Sequence, residues 1–188
     1  MDIISIIILG IGLAMDCFAV SISKGICLQK FSFAHTFRMA FLFGFFQSLM
    51  PLIGFLAGKS FMNEMNSYDH WIAFFLLVAI GLKMLIEGLK PINPDCEIAP
   101  NPFKWKILFP LAIATSIDAL ATGIVFVSYP GLILIAILII GGISFLFTFI
   151  GMALGIHFGN RFKFNVEVLG GIILISIGLK ILIQHLYF

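Results

Sequence analysis

The stretch Ala14-Met15-Asp16-Cys17-Phe18-Ala19-Val20-Ser21-Ile22 sets a carboxylate inside a run of residues that otherwise partitions into oil. Later in the chain Ser116-Ile117-Asp118-Ala119-Leu120-Ala121-Thr122-Gly123-Ile124 does the same. An aspartate at the centre of a membrane helix costs roughly 2.5 to 3.5 kcal/mol on insertion scales. Two of them in matched surroundings call for a common reason, and the chain reads as two copies of one membrane unit built around these acids.

The surroundings are apolar throughout. Of 188 residues, 61% are hydrophobic and 11% charged, and the mean hydropathy is +1.16. That leaves too little polar surface to cover a water-soluble globule. A helix crosses the bilayer core with roughly 20 mostly apolar residues, and six such stretches are present, at about 3–26, 37–58, 70–89, 105–127, 131–156 and 166–187. Barrel strands alternate apolar and polar residues, whereas Gly131-Leu132-Ile133-Leu134-Ile135-Ala136-Ile137-Leu138 is apolar on every side. The fold class expected is therefore an all-α integral membrane protein with six transmembrane helices. The start, Met1-Asp2, has no basic residue and leads to Asp16, so the first span does not read as a cleaved signal peptide and is expected to remain.

A repeat organises the six spans. Gly44, Gly54 and Gly58 recur as Gly141, Gly151 and Gly155, each 97 positions on. Ile80-Gly81-Leu82-Lys83-Met84-Leu85-Ile86 recurs at the same offset as Ile177-Gly178-Leu179-Lys180-Ile181-Leu182-Ile183. The two aspartates are 102 apart, and the longer link from Cys27 to Phe37, set against the tight Ser128-Tyr129-Pro130, absorbs the difference. Three spans per copy is an odd number, so the copies enter the membrane from opposite sides. The predicted organisation is two inverted three-helix repeats, 1–90 and 104–188, joined by a cytoplasmic proline-rich connector, 91–103, which holds four prolines with Asp95 and Glu97. Transporters built this way carry their substrate site near the midplane, where the repeats meet. Asp16 and Asp118 fall near mid-membrane from opposite directions, which makes them candidates to face one another.

Basic residues fix the orientation. With the N-terminus outside, Lys24, Lys30, Arg38, Lys90, Lys104, Lys106, Arg161 and Lys163 flank inside loops, Lys59 alone flanks an outside one, and Lys83 and Lys180 lie within spans. The positive-inside rule then turns both termini outward. Cys17, Cys27 and Cys96 have no CxxC spacing and no histidine cluster beside them, so neither a zinc site nor a disulfide framework is indicated.

The residues around the acids suggest chemistry. Pro51 in the second span disturbs the carbonyl of Gln47 four residues back. In the fourth span Thr115, Asp118 and Thr122 follow at steps of three and four on one helical face, with Ser116 adjacent. Ser144 in the fifth span matches Gln47 at the 97 offset, and Thr148 follows it. Hydroxyls in membrane helices also bond their own backbone, which is the plainer reading of each. Lys83 and Glu87 sit one turn apart and read as a mutual pair, and both Lys83 and Lys180 lie nearer span ends than the midplane, which makes them poor partners for the aspartates. That leaves protons and cations for Asp16 and Asp118. Carboxylates, hydroxyls and carbonyls are hard donors suited to Mg²⁺, Ca²⁺ or Mn²⁺, and no histidine is at hand to favour zinc or copper. A divalent ion cancels both acids, and its release leaves two close carboxylates, one of which takes up a proton. The residues thus predict exchange of a hard divalent cation for protons at a site of Asp16, Asp118, Gln47, Thr115, Thr122 and Ser144.

Met15-Asp16-Cys17-Phe18-Ala19-Val20-Ser21, the Gly44 to Gly58 segment with Gln47 and Met50-Pro51-Leu52-Ile53-Gly54, His70-Trp71-Ile72-Ala73-Phe74, and Ala114-Thr115-Ser116-Ile117-Asp118-Ala119-Leu120-Ala121 together resemble the MntP-type manganese efflux pumps over nearly the whole chain. The resemblance implies Mn²⁺ as the transported substrate, export as the direction and a bacterial inner membrane as the location, with Asp16 and Asp118 as the matching acids. It departs at Gln47, where relatives carry an acid. No prosthetic group, nucleic-acid partner or hydrolase motif is indicated. The rivals are an exporter of small organic cations or amino acids, which needs a cavity that 22 phenylalanines crowd against, and a cation-selective channel with the aspartates as its constriction.

Overall fold

The computed structural model of the chain describes residues 2–28, 32–60, 69–89, 103–158 and 166–187. Every regular element among them is helical: α1 (Ile3–Cys27), α2 (Phe33–Ser60), α3 (Asp69–Gly88), α4 (Trp105–Thr115), α5 (Ile117–Val125), α6 (Ile133–Phe158) and α7 (Val166–Tyr187), with two 3₁₀ turns, Phe126–Ser128 and Pro130–Leu132, before α6. By length and composition, Ile3–Cys27, Phe33–Ser60, Trp105–Ser128 and Pro130–His157 can each cross a membrane. In α3 and α7 the apolar stretches are shorter, Phe74–Ile86 and Val168–Lys180, inside helices of 20 and 22 residues. The second helix begins earlier than its hydropathy suggests, at Phe33, and runs unbroken through Pro51. The fourth span departs from the expected single helix, because it stops at Thr115 and restarts at Ile117. All of the connector except Phe103, the link at 61–68 and the basic loop holding Arg161 and Lys163 lie outside the described residues.

Packing of the helices is set by glycine. Lipid tails are as apolar as leucine, so helices in a bilayer gain little from hiding apolar surface and associate through close backbone approach instead. A Cβ on Gly44 would lie 2.9 Å from the carbonyl oxygen of Gly141, and one on Gly141 would lie 2.9 Å from that of Gly44. Gly54 abuts the Leu120 carbonyl and Gly151 the Phe18 carbonyl; Gly58 abuts Ile124 and Val127, and Gly155 abuts Ile22 and Gly25. Gly81 faces the Gly171 carbonyl as Gly178 faces that of Phe74. Each contact has its counterpart at the 97 and 102 offsets read from the sequence. The same exchange holds for whole elements: α1 packs on α6 as α2 packs on α4 and α5, α1 on α7 as α5 on α3, and α2 meets α6 and α3 meets α7 directly.

Two apolar clusters fill the interior. One joins Leu9, Leu13, Phe18 and Ile22 of α1 to Leu77 and Met84 of α3, Ile140 of α6 and Leu174 of α7. The other joins Cys17 to Met39, Phe43 and Phe46 of α2, Leu108 and Ala112 of α4 and Met152 of α6. Outward faces are apolar too, with Ile4, Phe37, Phe41, Phe75, Phe109, Leu138 and Ile172 among the large exposed side chains. At one end of the bundle Arg38 stands over the Trp105 ring, 5.6 Å from its centroid. Lys180, late in α7, donates to Ser5 Oγ at 2.9 Å and lies 3.9 Å from Asp2, so the two ends of the helical chain share one side. Cys17 is a buried free thiol, whereas Cys27 is disulfide-bonded, which the sequence did not indicate because a single bridge leaves no spacing signature. Cys96 is outside the described residues.

The glycine contacts are testable by bulk. Gly54→Val and Gly151→Val each force a side chain against a carbonyl and are expected to lower stability by about 1–3 kcal/mol or to prevent accumulation of the folded protein. Gly142→Ala, where an added Cβ meets nothing within 4 Å, should match the parent. Thermal unfolding in detergent, followed by size-exclusion elution of a fluorescent fusion, reads all three.

Candidate functional site

The break in the fourth span is built by two consecutive hydroxyl residues. Ser and Thr side chains offer backbone carbonyls an alternative partner and so compete with the helical ladder. Here Thr115 Oγ1 donates to the carbonyls of Leu111 and Ala112 at 3.1 Å each, and Ser116 Oγ donates to that of Ala112 at 2.8 Å. The Ser116 amide folds back to Ile113 O at 3.0 Å, the tighter i to i+3 step. Its φ of −106° and ψ of 2° take it out of the helical ladder for one residue.

The interruption puts Asp118 in the first turn of α5. Unsatisfied amides at a helix start carry partial positive charge, which favours a carboxylate there. The acid is buried, and its principal neighbour comes from α3: Lys83 Nζ donates to Oδ1 and to Oδ2 at 3.1 Å each. This corrects, for Lys83, the expectation that the span lysines are too near the ends to reach the aspartates. Lys83 lies five residues before the end of α3, and its four-carbon stem carries the ammonium away from the Cα to the carboxylate on α5. The side chain of Glu87, the other partner expected for Lys83, lies outside the described residues.

Asp16 is half-buried within the unbroken α1. The link between the two acidic segments is Gln47, fully buried on α2. Its Nε2 donates to the Thr115 carbonyl at 2.9 Å and meets Cys17 Sγ at 3.4 Å. One amide thereby joins the residue after Asp16 to the carbonyl left without its ladder partner before Asp118. Its other end, Oε1, is buried with no hydrogen-bond partner. Ser144 Oγ and Thr148 Oγ1, on the facing α6, are likewise buried and unpartnered. Three buried oxygens thus keep lone pairs that no protein donor uses, a costly state in a bundle interior.

The predicted residues thus divide. Asp118, Thr115 and Thr122 are all buried on the fourth span, and Gln47 is tied to it. The hydroxyls of Thr115 and Thr122 are spent on their own backbone, Thr122 Oγ1 on Ala119 O at 2.8 Å, so they offer a cation lone pairs only. Ser144 is buried but bonded to none of the others. Among the described residues no three His, Cys, Asp or Glu side chains cluster as they would around a resident metal. Lys83 is the residue that reasoning from the sequence left out, although a charge within a span is itself a pointer to function, and its repetition as Lys180 was visible.

A family model described as "Putative manganese efflux pump" matches residues 30–182. Curated relatives bearing the name "Putative manganese efflux pump MntP" include one from Crocosphaera subtropica, 46% identical over 186 residues and covering 99% of this chain and 98% of the relative. One from Bacteroides thetaiotaomicron is 48% identical over 186 residues, covering 96% and 95%, and one from Mannheimia succiniciproducens is 43% identical over 188 residues, covering both chains entirely. No solved structure matches the chain.

Gln47→Leu removes the bridge at nearly constant volume and leaves the Thr115 carbonyl unpaired. A loss of about 1–3 kcal/mol is expected, read as a lower unfolding temperature in detergent. An unchanged temperature would show that the amide does not brace the break.

Proposed function

The chain belongs to the MntP family of manganese efflux pumps, a family of transporters and not enzymes, and from that premise we propose that it exports divalent manganese from the cytoplasm across a bacterial inner membrane in exchange for protons. The observation that carries the mechanism is the buried Asp118 at the interrupted fourth span, joined through Gln47 to the turn of α1 that holds Asp16. Spans interrupted at mid-membrane are where inverted-repeat transporters bind their ions, because a helix end supplies both dipole and free backbone groups.

The site draws on Asp16 and Asp118 for charge and on Gln47 Oε1 and Ser144 Oγ for neutral oxygen, both of them buried without partners. Thr115 and Thr122 line it with lone pairs. All are hard donors, matched to manganese among the common divalent ions that carboxylate and carbonyl ligands hold. A doubly charged ion cancels two carboxylates, and in a medium of low dielectric the acids cannot be left bare when it departs. Protons returning down their gradient restore neutrality, and that return drives export.

Two inverted three-helix repeats, 1–90 and 104–188, supply the alternation of access. Support comes from the glycine contacts, in which Gly44 and Gly141 face each other and the remaining approaches exchange at the 97 and 102 offsets, and from the like exchange of packed elements. An even number of crossings agrees with Lys180 lying beside Ser5 at the beginning of the chain, and the basic residues turn both ends outward.

In a strain lacking its own exporter the intact gene should restore growth in toxic manganese, whereas Asp16→Asn and Asp118→Asn should each reduce protection and lower the initial rate of manganese efflux at least about tenfold, the scale of about 1.4 kcal/mol lost from the limiting step. Equal protection by well-expressed variants would remove the acids from the mechanism. In proteoliposomes loaded with a pH dye, manganese flux should carry protons the other way; flux without counterflow would remove the exchange.

A further inference from the structure

The export reading uses two acids and leaves unused the cation that already sits on one of them. Lys83 Nζ is 3.1 Å from each oxygen of Asp118, so the ammonium lies on the bisector of the carboxylate. A hard divalent cation bound through both oxygens takes that same direction at about 2.0–2.6 Å. The two cations cannot occupy it together, since they would repel one another at contact distance in a poorly screened interior.

Resting on the manganese-export reading, we infer that Lys83 is a built-in counter-ion that holds Asp118 while the site is empty and is displaced each time a divalent cation binds. The exposures of the two side chains fit such a role: that of Lys83 is 46% exposed and that of Asp118 9%. The lysine stem lies at the edge of the core and has room to withdraw, while the acid is fixed within it. A long flexible stem carrying a compact charge is what a removable counter-ion requires, in contrast to a braced, buried pair.

The other half of the molecule shows where such a lysine rests when it is not on an acid at mid-span. Lys180 occupies the equivalent place 97 positions on, yet it donates to Ser5 Oγ at 2.9 Å, with Asp2 at 3.9 Å, at the very start of α1. One repeated lysine therefore has two settings in a single structure, one on a buried carboxylate and one among polar groups at a helix end. If Lys83 moves from the first setting toward the second when manganese binds and returns when it leaves, the ammonium replaces one of the two positive charges that depart with manganese, and the empty carrier can reorient without a bare acid at Asp118.

The test uses the full chain, purified in detergent and in proteoliposomes, with Mn²⁺ as the probe and free ion counted by electron paramagnetic resonance. Lys83→Gln, in which no ammonium competes, should bind Mn²⁺ at least about tenfold more tightly. Its net efflux should fall about tenfold or more while manganese-for-manganese exchange, which never passes through the empty site, stays within about twofold of the parent. Lys83→Arg should keep the parent's weaker binding, and in an Asp118→Asn background Lys83→Gln should tighten nothing, because the pair is a single unit in a double-mutant cycle. Unchanged or weaker Mn²⁺ binding by a monodisperse Lys83→Gln protein, or both fluxes falling together, would overturn the inference and leave the export reading standing. A parent protein that neither binds nor moves manganese would overturn both.

Discussion

A carboxylate in an apolar bundle keeps its place only if its charge is answered, and around Asp118 that demand arranges four separate elements. The fourth span breaks two residues ahead of it, so that the acid falls in the first turn of a new helix. Lys83 reaches in from α3 and covers both oxygens. Gln47 of α2 takes up the carbonyl that the break exposes, and Cys17 on α1 receives the same amide. A simple apolar replacement of Asp118 would make most of this unnecessary, and often an ion pair inside a protein adds little stability over well-packed apolar residues. Packing alone therefore does not account for the arrangement.

The rest of the bundle is held by contacts that need no charge. Backbone carbonyls of one helix sit where glycine leaves a gap on the next, from Gly44 against Gly141 to Gly155 against Ile22. Large side chains such as Phe37, Phe41 and Leu138 point away from these seams, which is the reverse of the distribution in a water-soluble helical protein. Small residues at the helix seams and bulky ones on the outward faces, beside an interior that also holds large side chains such as Phe43 and Leu13, are the expected outcome when the surrounding solvent is hydrocarbon.

Much of this was legible in the residues alone, and the exceptions have physical reasons. Apolar runs of membrane length marked the helices, and a carboxylate is costly enough in such a run to single out Asp16 and Asp118. The offsets of 97 and 102 anticipated which glycines would find equivalent neighbours. The break at Ser116 was hidden, because Thr115-Ser116 lies in a run whose hydropathy is continuous and competition for a carbonyl leaves no mark on an apolarity profile. Lys83 was misplaced because depth was counted along the helix axis, whereas a lysine acts at the end of a stem several ångströms from its Cα. The hydroxyls of Thr115 and Thr122 share the right face but turn to their own turns of helix, a choice of rotamer that spacing cannot express.

The unlike construction of α1 and the fourth span sets the mechanical character of the two halves. Twenty-five residues of uninterrupted ladder make α1 a stiff rod, whereas its counterpart is two short rods of 11 and 9 residues meeting at a joint with fewer cross-ties. Flexure is cheapest at such a joint. Any bending at that joint would carry Asp118 on a short arm of its own while Asp16 stays fixed to a whole beam, an anvil on one side and a lever on the other.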